Sequence, residues 1–310
     1  MTYEYDMVVI GGGSAGLTAA GMAALLGAKT ALIEEHRLGG DCTWVGCVPS
    51  KTLLRAAKAA RDMKTADRFG LVPAESKVPF SQVMEHVRRI RQHIYEDADA
   101  PPNLEKFGVE VIIGSARLTD SHTVEIRNIS GDSRRLTSRF FVIASGSRPR
   151  VPNFSGRVLT NETIFELTSQ PKRLLIMGGG PVGIEMAQAF ARLGSEVTVV
   201  APGDRILPRD DPGQARELQA CLAREGVSFV LGQKVAAVEK HGDDLVAMLK
   251  DERTLRCDAV LAAIGREPAI KGLQLETAGV RFSEKGIDVD EHCRTSQRHI
   301  YATGDVTGKY

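Results

Sequence analysis

Two stretches of this 310-residue chain are copies of one another, and that duplication restricts the fold more than any other feature. YDMVVIGGGSAGLTAAGMAALLGAKTALIEEH returns as KRLLIMGGGPVGIEMAQAFARLGSEVTVVAPG. Gly11, Gly13, Gly16 and Gly27 recur as Gly178, Gly180, Gly183 and Gly194, at a constant offset of 167 residues, and Ile33 and Val200 obey the same shift. Each copy reads as a short apolar strand, a glycine turn, a helix of apolar periodicity and a second strand, which is a right-handed βαβ unit. Two such units in a chain of this length point to two similar α/β domains, at about 150 residues per domain.

FFVIASG, ending at Gly146, and AVLAAIG, ending at Gly265, read as a buried strand closed by glycine in each half. Between the first βαβ unit and Gly146, a helix is expected over residues 80–98. Val109–Ile113 and Thr123–Arg127 are expected to form a small antiparallel meander. The second half repeats this plan, with strands at Val227–Leu231, 245–249 and 255–262. Pro149 and Pro152 mark the crossing between domains.

The glycine pattern has a chemical reading. Gly11 permits a tight turn, Gly13 lets backbone approach a pyrophosphate, and Gly16 allows close helix–strand packing, so that helix N-terminal amides face the phosphates. Glu34 follows Gly16 by 18 residues at a strand end, where a carboxylate accepts hydrogen bonds from a ribose diol. Glu34 shifted by the repeat offset falls on Ala201, so the second copy keeps the phosphate turn and lacks the ribose carboxylate. Two different dinucleotides are implied. A carboxylate repels a 2′-phosphate, so its absence, with Arg205 and Arg209 just downstream, weakly favours NADP over NAD at the second turn.

Charge adds exclusions. Lys plus Arg total 40 against 39 Asp plus Glu, a net charge of +1, so no global field draws nucleic acid or an anionic membrane. The uncharged run at residues 15–28 is too short to span a bilayer, and acidic rather than basic residues precede the first apolar strand, unlike a signal peptide. Five scattered cysteines do not make a disulfide framework, so a reducing, cytoplasmic setting is expected. Cys42 and Cys47 alone sit close together, in GGDCTWVGCVPSK, ahead of a helix-prone run from Lys51. A thiol at a helix start lies at the positive end of the dipole, which favours thiolate and makes a redox pair plausible. Two unrelated buried thiols fit the spacing equally, whereas a zinc site lacks a second ligand pair, so no metal is expected. Trp44, the only tryptophan, reads as a packing anchor.

GGDCTWVGCVPSK resembles the active-site signature of the class I pyridine nucleotide-disulfide oxidoreductases, the dihydrolipoamide dehydrogenase, glutathione reductase and mercuric reductase group. The first glycine turn resembles that family's FAD turn, GGGPVG at Gly178 its nicotinamide-dinucleotide turn, and YATGDV its second FAD motif. The resemblance implies two Rossmann-like domains, each a parallel sheet with helices plus a small antiparallel meander. FAD would occupy residues 1–148, NAD(P) residues 149–266, and residues 267–310 would return to the flavin. It also implies site roles. Cys47 is the thiol against the flavin and Cys42 the outer thiol, Lys51 lies near the flavin ring, and Glu185 is its carboxylate partner. Gly40, Gly114, Ser145, Gly146, Ser147 and Asp305 contact FAD, while Gly265 and Arg266 flank the nicotinamide site.

The implied function is relay of electrons from NAD(P)H through FAD to a Cys42–Cys47 disulfide and on to a small-molecule or protein disulfide. Dithiol oxidation, a flavin oxidase or quinone reductase, and a non-catalytic dinucleotide-binding remnant are the alternatives. Relatives carry a further domain, of order 100 residues, that forms a homodimer and supplies a histidine acid–base. Nothing here matches it, and His292 and His299 precede the second FAD motif. The expectation is a core lacking the dimerisation domain, with turnover weakened by on the order of a hundredfold to ten-thousandfold.

Overall fold

The structure is a computed structural model that describes residues 2–74, 78–242 and 244–309. It divides into two compact units: residues 1–44, 92–148 and 266–310 form one, and residues 45–91 and 149–265 the other.

In the first unit, β1 (Tyr5–Ile10), α1 (Ser14–Leu25) and β2 (Thr30–Glu34) build the first copy of the repeat. β1 pairs in parallel with β2, and β2 in parallel with β3 (Val109–Ile113). Val8, Val9, Ile33 and Leu32 are almost fully buried, the composition of strands covered on both faces. β3 therefore extends the parallel sheet, and the sequence expectation that it opens a meander is corrected. The meander is β4 (Ser115–Leu118), β5 (Thr123–Arg127) and the first half of β6 (Ser133–Ile143), paired antiparallel. β6 is long enough to serve twice. Ser133–Thr137 ladders against β5, and Ser138–Ile143 runs parallel to β1 and to Ile300–Ala302.

The second unit repeats the plan. Its five-stranded sheet is wholly parallel, with Arg173–Met177 between Glu196–Ala201 and Ala259–Ala262, Val227–Leu231 beyond the former, and Val158–Leu159 at the other edge. Val227–Leu231 thus plays the part of β3. The run expected as one strand over 255–262 is two. Thr254–Cys257 closes an antiparallel ribbon with Val235–His241 and Asp244–Leu249, and Ala259–Ala262 joins the parallel sheet. Within this unit, Leu53 and Ala57 from residues 47–64 and Phe80, Met84 and Val87 from residues 80–94 share a core with Phe190 and Ile184 of the repeat's helix, Pro181–Leu193. The helix expected over 80–98 ends at Ile94 and continues as a wider π-helical turn, Tyr95–Asp99, in the first unit.

Candidate functional site

The two glycine turns are built alike. At Gly11, with φ of 107°, a Cβ would overlap the Ala144 carbonyl oxygen; at Gly178, with φ of 114°, it would overlap that of Ala263. A Cβ on Gly16 would overlap the Gly11 carbonyl, and one on Gly183 the Gly178 carbonyl. Only glycine lets the turn pass under the neighbouring strand and the helix sit on the turn. Gly13 and Gly180 lead into the helices in extended conformation with no side chain capping them, so first-turn amides are offered to a ligand anion. Among the described residues, nothing lies within 4 Å of a Cβ built on Gly180, and only the Gly40 Cα, at 3.8 Å, near one on Gly13. Each turn is a cradle that a side chain would fill, and it fits a pyrophosphate.

The copies differ where the second strand ends. Cβ of Glu34 lies 3.2 Å from a Cβ built on Gly12, and Cβ of Ala201 lies 3.2 Å from one on Gly179, so the two residues occupy the same place. Glu34 accepts hydrogen bonds from the Gly12 amide at 2.7 Å and the His36 amide at 2.9 Å, which hold its carboxylate at the mouth of the turn. Ala201 brings no acceptor. Gly12 O is bonded by the Gly39 amide, and Gly179 O by the Leu207 amide at 2.7 Å, with buried Leu38 and Ile206 beneath. Arg205 commits its guanidinium to its own loop, donating to the carbonyls of Leu207 at 2.8 Å, Pro208 at 2.9 Å and Asp210 at 3.2 Å.

Further polar groups gather in the first unit. Ser147 Oγ donates to Asp305 at 2.6 Å, and Arg266 donates to Ser147 Oγ at 2.7 Å and Ser147 O at 2.8 Å while also binding Asp41. Asp305 sits in the turn Gly304–Thr307. Ser145 Oγ and the Gly146 carbonyl bond Ala269, at 2.8 and 3.0 Å. A Cβ on Gly114 would come within 2.8 Å of the Arg127 carbonyl, and one on Gly40 within 2.6 Å of the Gly13 Cα, so tight packing requires glycine at both. The Arg266–Asp41 pair, 225 positions apart, left no trace in the sequence.

Cys42 lies on α2 (Gly40–Trp44), which is pinned on both sides of the thiol. Asp41 is held by Arg266, and Thr43 Oγ1 donates to Asp99 at 2.5 Å. Trp44, 6% exposed, donates its indole N–H to Leu38 O at 2.7 Å, lies beneath the Arg37 guanidinium at 3.4 Å and packs on Tyr95. In the second unit, Cys47 is the exposed first residue of α3 (Cys47–Lys64), and Lys51 Nζ meets Glu185 Oε1 at 2.6 Å. Cys257 is different in kind. It is buried, and burial pushes its thiol up to about 11, so it stays protonated at neutral pH.

The model of the pyridine nucleotide-disulphide oxidoreductase family matches residues 5–310. The chain belongs to that family. It is 36% identical over 327 residues to a dihydrolipoyl dehydrogenase of Bacillus subtilis, covering 99% of this chain and 68% of the relative. It is 36% identical over 329 residues to the glutathione reductase of a Nostoc species, covering 100% and 69%. The solved structure of LpdA from Mycobacterium tuberculosis superposes with a TM-score of 0.89 at 29% identity, covering 98% of this chain and 68% of that one. The chain spans 68% and 69% of the length of the Bacillus subtilis and Nostoc relatives, and 49% of that of a mercuric reductase of Bacillus cereus. Family membership implies FAD and a pyridine nucleotide as cofactors. Among the described residues, no helix is long and apolar enough to cross a membrane.

Proposed function

We propose that this protein is an FAD-dependent NAD(P)H:disulfide oxidoreductase, with FAD on the first glycine turn and NAD(P)H on the second. Residues 1–148 and 267–310 would serve the flavin and residues 149–266 the nicotinamide coenzyme. When bound, FAD supplies acceptance of hydride from NAD(P)H and delivery of two electrons to a disulfide.

The protein's own groups then do the thiol chemistry. A reduced Cys42 thiolate attacks one sulfur of an external disulfide, forming a mixed disulfide and releasing one substrate thiolate. Cys47 thiolate attacks the Cys42 sulfur, restoring the Cys42–Cys47 disulfide and releasing the second thiol. The bond to Glu185 orients the Lys51 ammonium. Ser147 and Arg266 fix the Asp305 carboxylate as an acceptor for a polyol chain. Run backwards with oxidised coenzyme, the same groups oxidise a dithiol, the reaction named for the Bacillus subtilis relative.

The observation that carries this reading is the pair of matched cradles, of which only the first has a carboxylate fixed at its mouth. Glu34 suits the unphosphorylated ribose of FAD. The apolar end of the second copy suits a 2′-phosphorylated coenzyme, NADPH. A cytoplasmic setting is part of the proposal, supported by five scattered cysteines that make no disulfide framework and by the family resemblance. Equilibration with FAD followed by gel filtration tests it. One flavin per chain is expected, lost in Gly11→Ala; a colourless protein under both conditions contradicts the assignment.

A further inference from the structure

Beside the end of the strand Glu196–Ala201 lies an open cleft of about 360 Å³, lined by Pro202, Gly232, Gln233, Lys234, Lys250 and Asp251. It adjoins the position at which the first copy of the repeat carries its ribose carboxylate. The loop after Val227–Leu231 is fastened to that strand end, because the Gln233 amide donates to Ala201 O at 3.1 Å and the Gly232 amide to Gly203 O at 2.8 Å. The Lys250 amide donates to Lys234 O at 3.0 Å, which brings the two lysine backbones together. Both residues are exposed. Asp251 faces the same cleft and is neutralised by Arg253 at 2.8 Å. The side-chain oxygen of Gln233 is buried and, among the described residues, has no hydrogen-bond partner.

We propose that this cleft is the subsite that reads the 2′-phosphate of NADPH, with Lys234 and Lys250 as the discriminating cations. The inference rests on the reading of the second glycine turn as a coenzyme site and adds the residues that set the choice of coenzyme. Arg205, the cation nearest in sequence, is turned to its own loop instead, where three hydrogen bonds to the Leu207, Pro208 and Asp210 carbonyls hold it. The cleft offers instead two exposed ammonium groups at the strand end where Ala201 has replaced a repelling carboxylate.

The experiment is calorimetric titration of the wild-type protein, Lys234→Ala, Lys250→Ala and Arg205→Gln with NADP⁺, NAD⁺ and 2′,5′-ADP. The wild type is expected to bind NADP⁺ and 2′,5′-ADP, and NADP⁺ more tightly than NAD⁺. Each lysine substitution should weaken both 2′-phosphorylated ligands by about tenfold, the loss of one charge-assisted hydrogen bond, with NAD⁺ affinity unchanged. Equal affinity for NADP⁺ and NAD⁺, or lysine variants that weaken both coenzymes alike, overturns the subsite. So does discrimination that disappears in Arg205→Gln and survives in both lysine variants. Binding of none of the three ligands overturns the coenzyme reading of the second turn itself, and the subsite with it.

Discussion

Glu34 and Ala201 show how much one residue can say when the chain supplies its own comparison. The glycines around them were readable from spacing alone, because a Cβ at Gly11, Gly16, Gly178 or Gly183 would overlap backbone. The Arg266–Asp41 and Thr43–Asp99 pairs were not, since nothing local marks partners that only the fold brings together. Two side chains carry predictions. Cys257 is buried and held protonated, so native labelling with iodoacetamide at pH 7.5 should modify Cys47 and leave Cys257 intact until the protein is unfolded. Glu225 receives two bonds from Arg192, at 2.7 and 2.8 Å, which hold its carboxyl below the usual value of 4.5. The unfolded chain therefore binds more protons in acid, and the pair's contribution is present above pH 4.5 and lost as pH falls through the folded value. Urea melts of Glu225→Gln should show a loss of about 1.5–3 kcal/mol at pH 7 that shrinks as the pH falls below the unfolded value.

At the scale of elements, apolar runs told the sequence that strands exist but not whom they pair with. Val109–Ile113 and Val227–Leu231 read as meander strands and are instead the edges of parallel sheets, a choice made by the helices and loops before them. The break at Asp258 inside the run 255–262 is set by its bonds to Arg173, of 2.7 Å to the amide and 3.0 Å to Nε. Element packing also separates the two kinds of glycine in a turn. Gly183→Ala forces a methyl into the Gly178 carbonyl and should cost about 1–3 kcal/mol in a thermal melt. Gly180→Ala meets nothing among the described residues and should melt like the wild type, yet lose coenzyme affinity because its methyl fills the cradle. Trp44 anchors α2 through Leu38 O, Arg37 and Tyr95, so Trp44→Ala should destabilise the first unit by about 3–5 kcal/mol, with a lower melting temperature.

At the scale of the whole molecule, one βαβ plan used twice gives two cradles of the same shape and different chemistry, which is what a relay between unlike dinucleotides requires. The duplication and the α/β class were legible from the first reading of the chain. The thiol pair was legible as chemistry only through the family signature, because two cysteines five residues apart have no unique physical meaning. Anaerobic titration of the FAD-loaded protein with NADPH, followed by visible absorbance, tests the relay most directly. Uptake of four electrons per flavin with a long-wavelength thiolate-to-flavin band, both lost in Cys47→Ser, is the predicted result. Uptake of two electrons without that band, unchanged by the substitution, would contradict it.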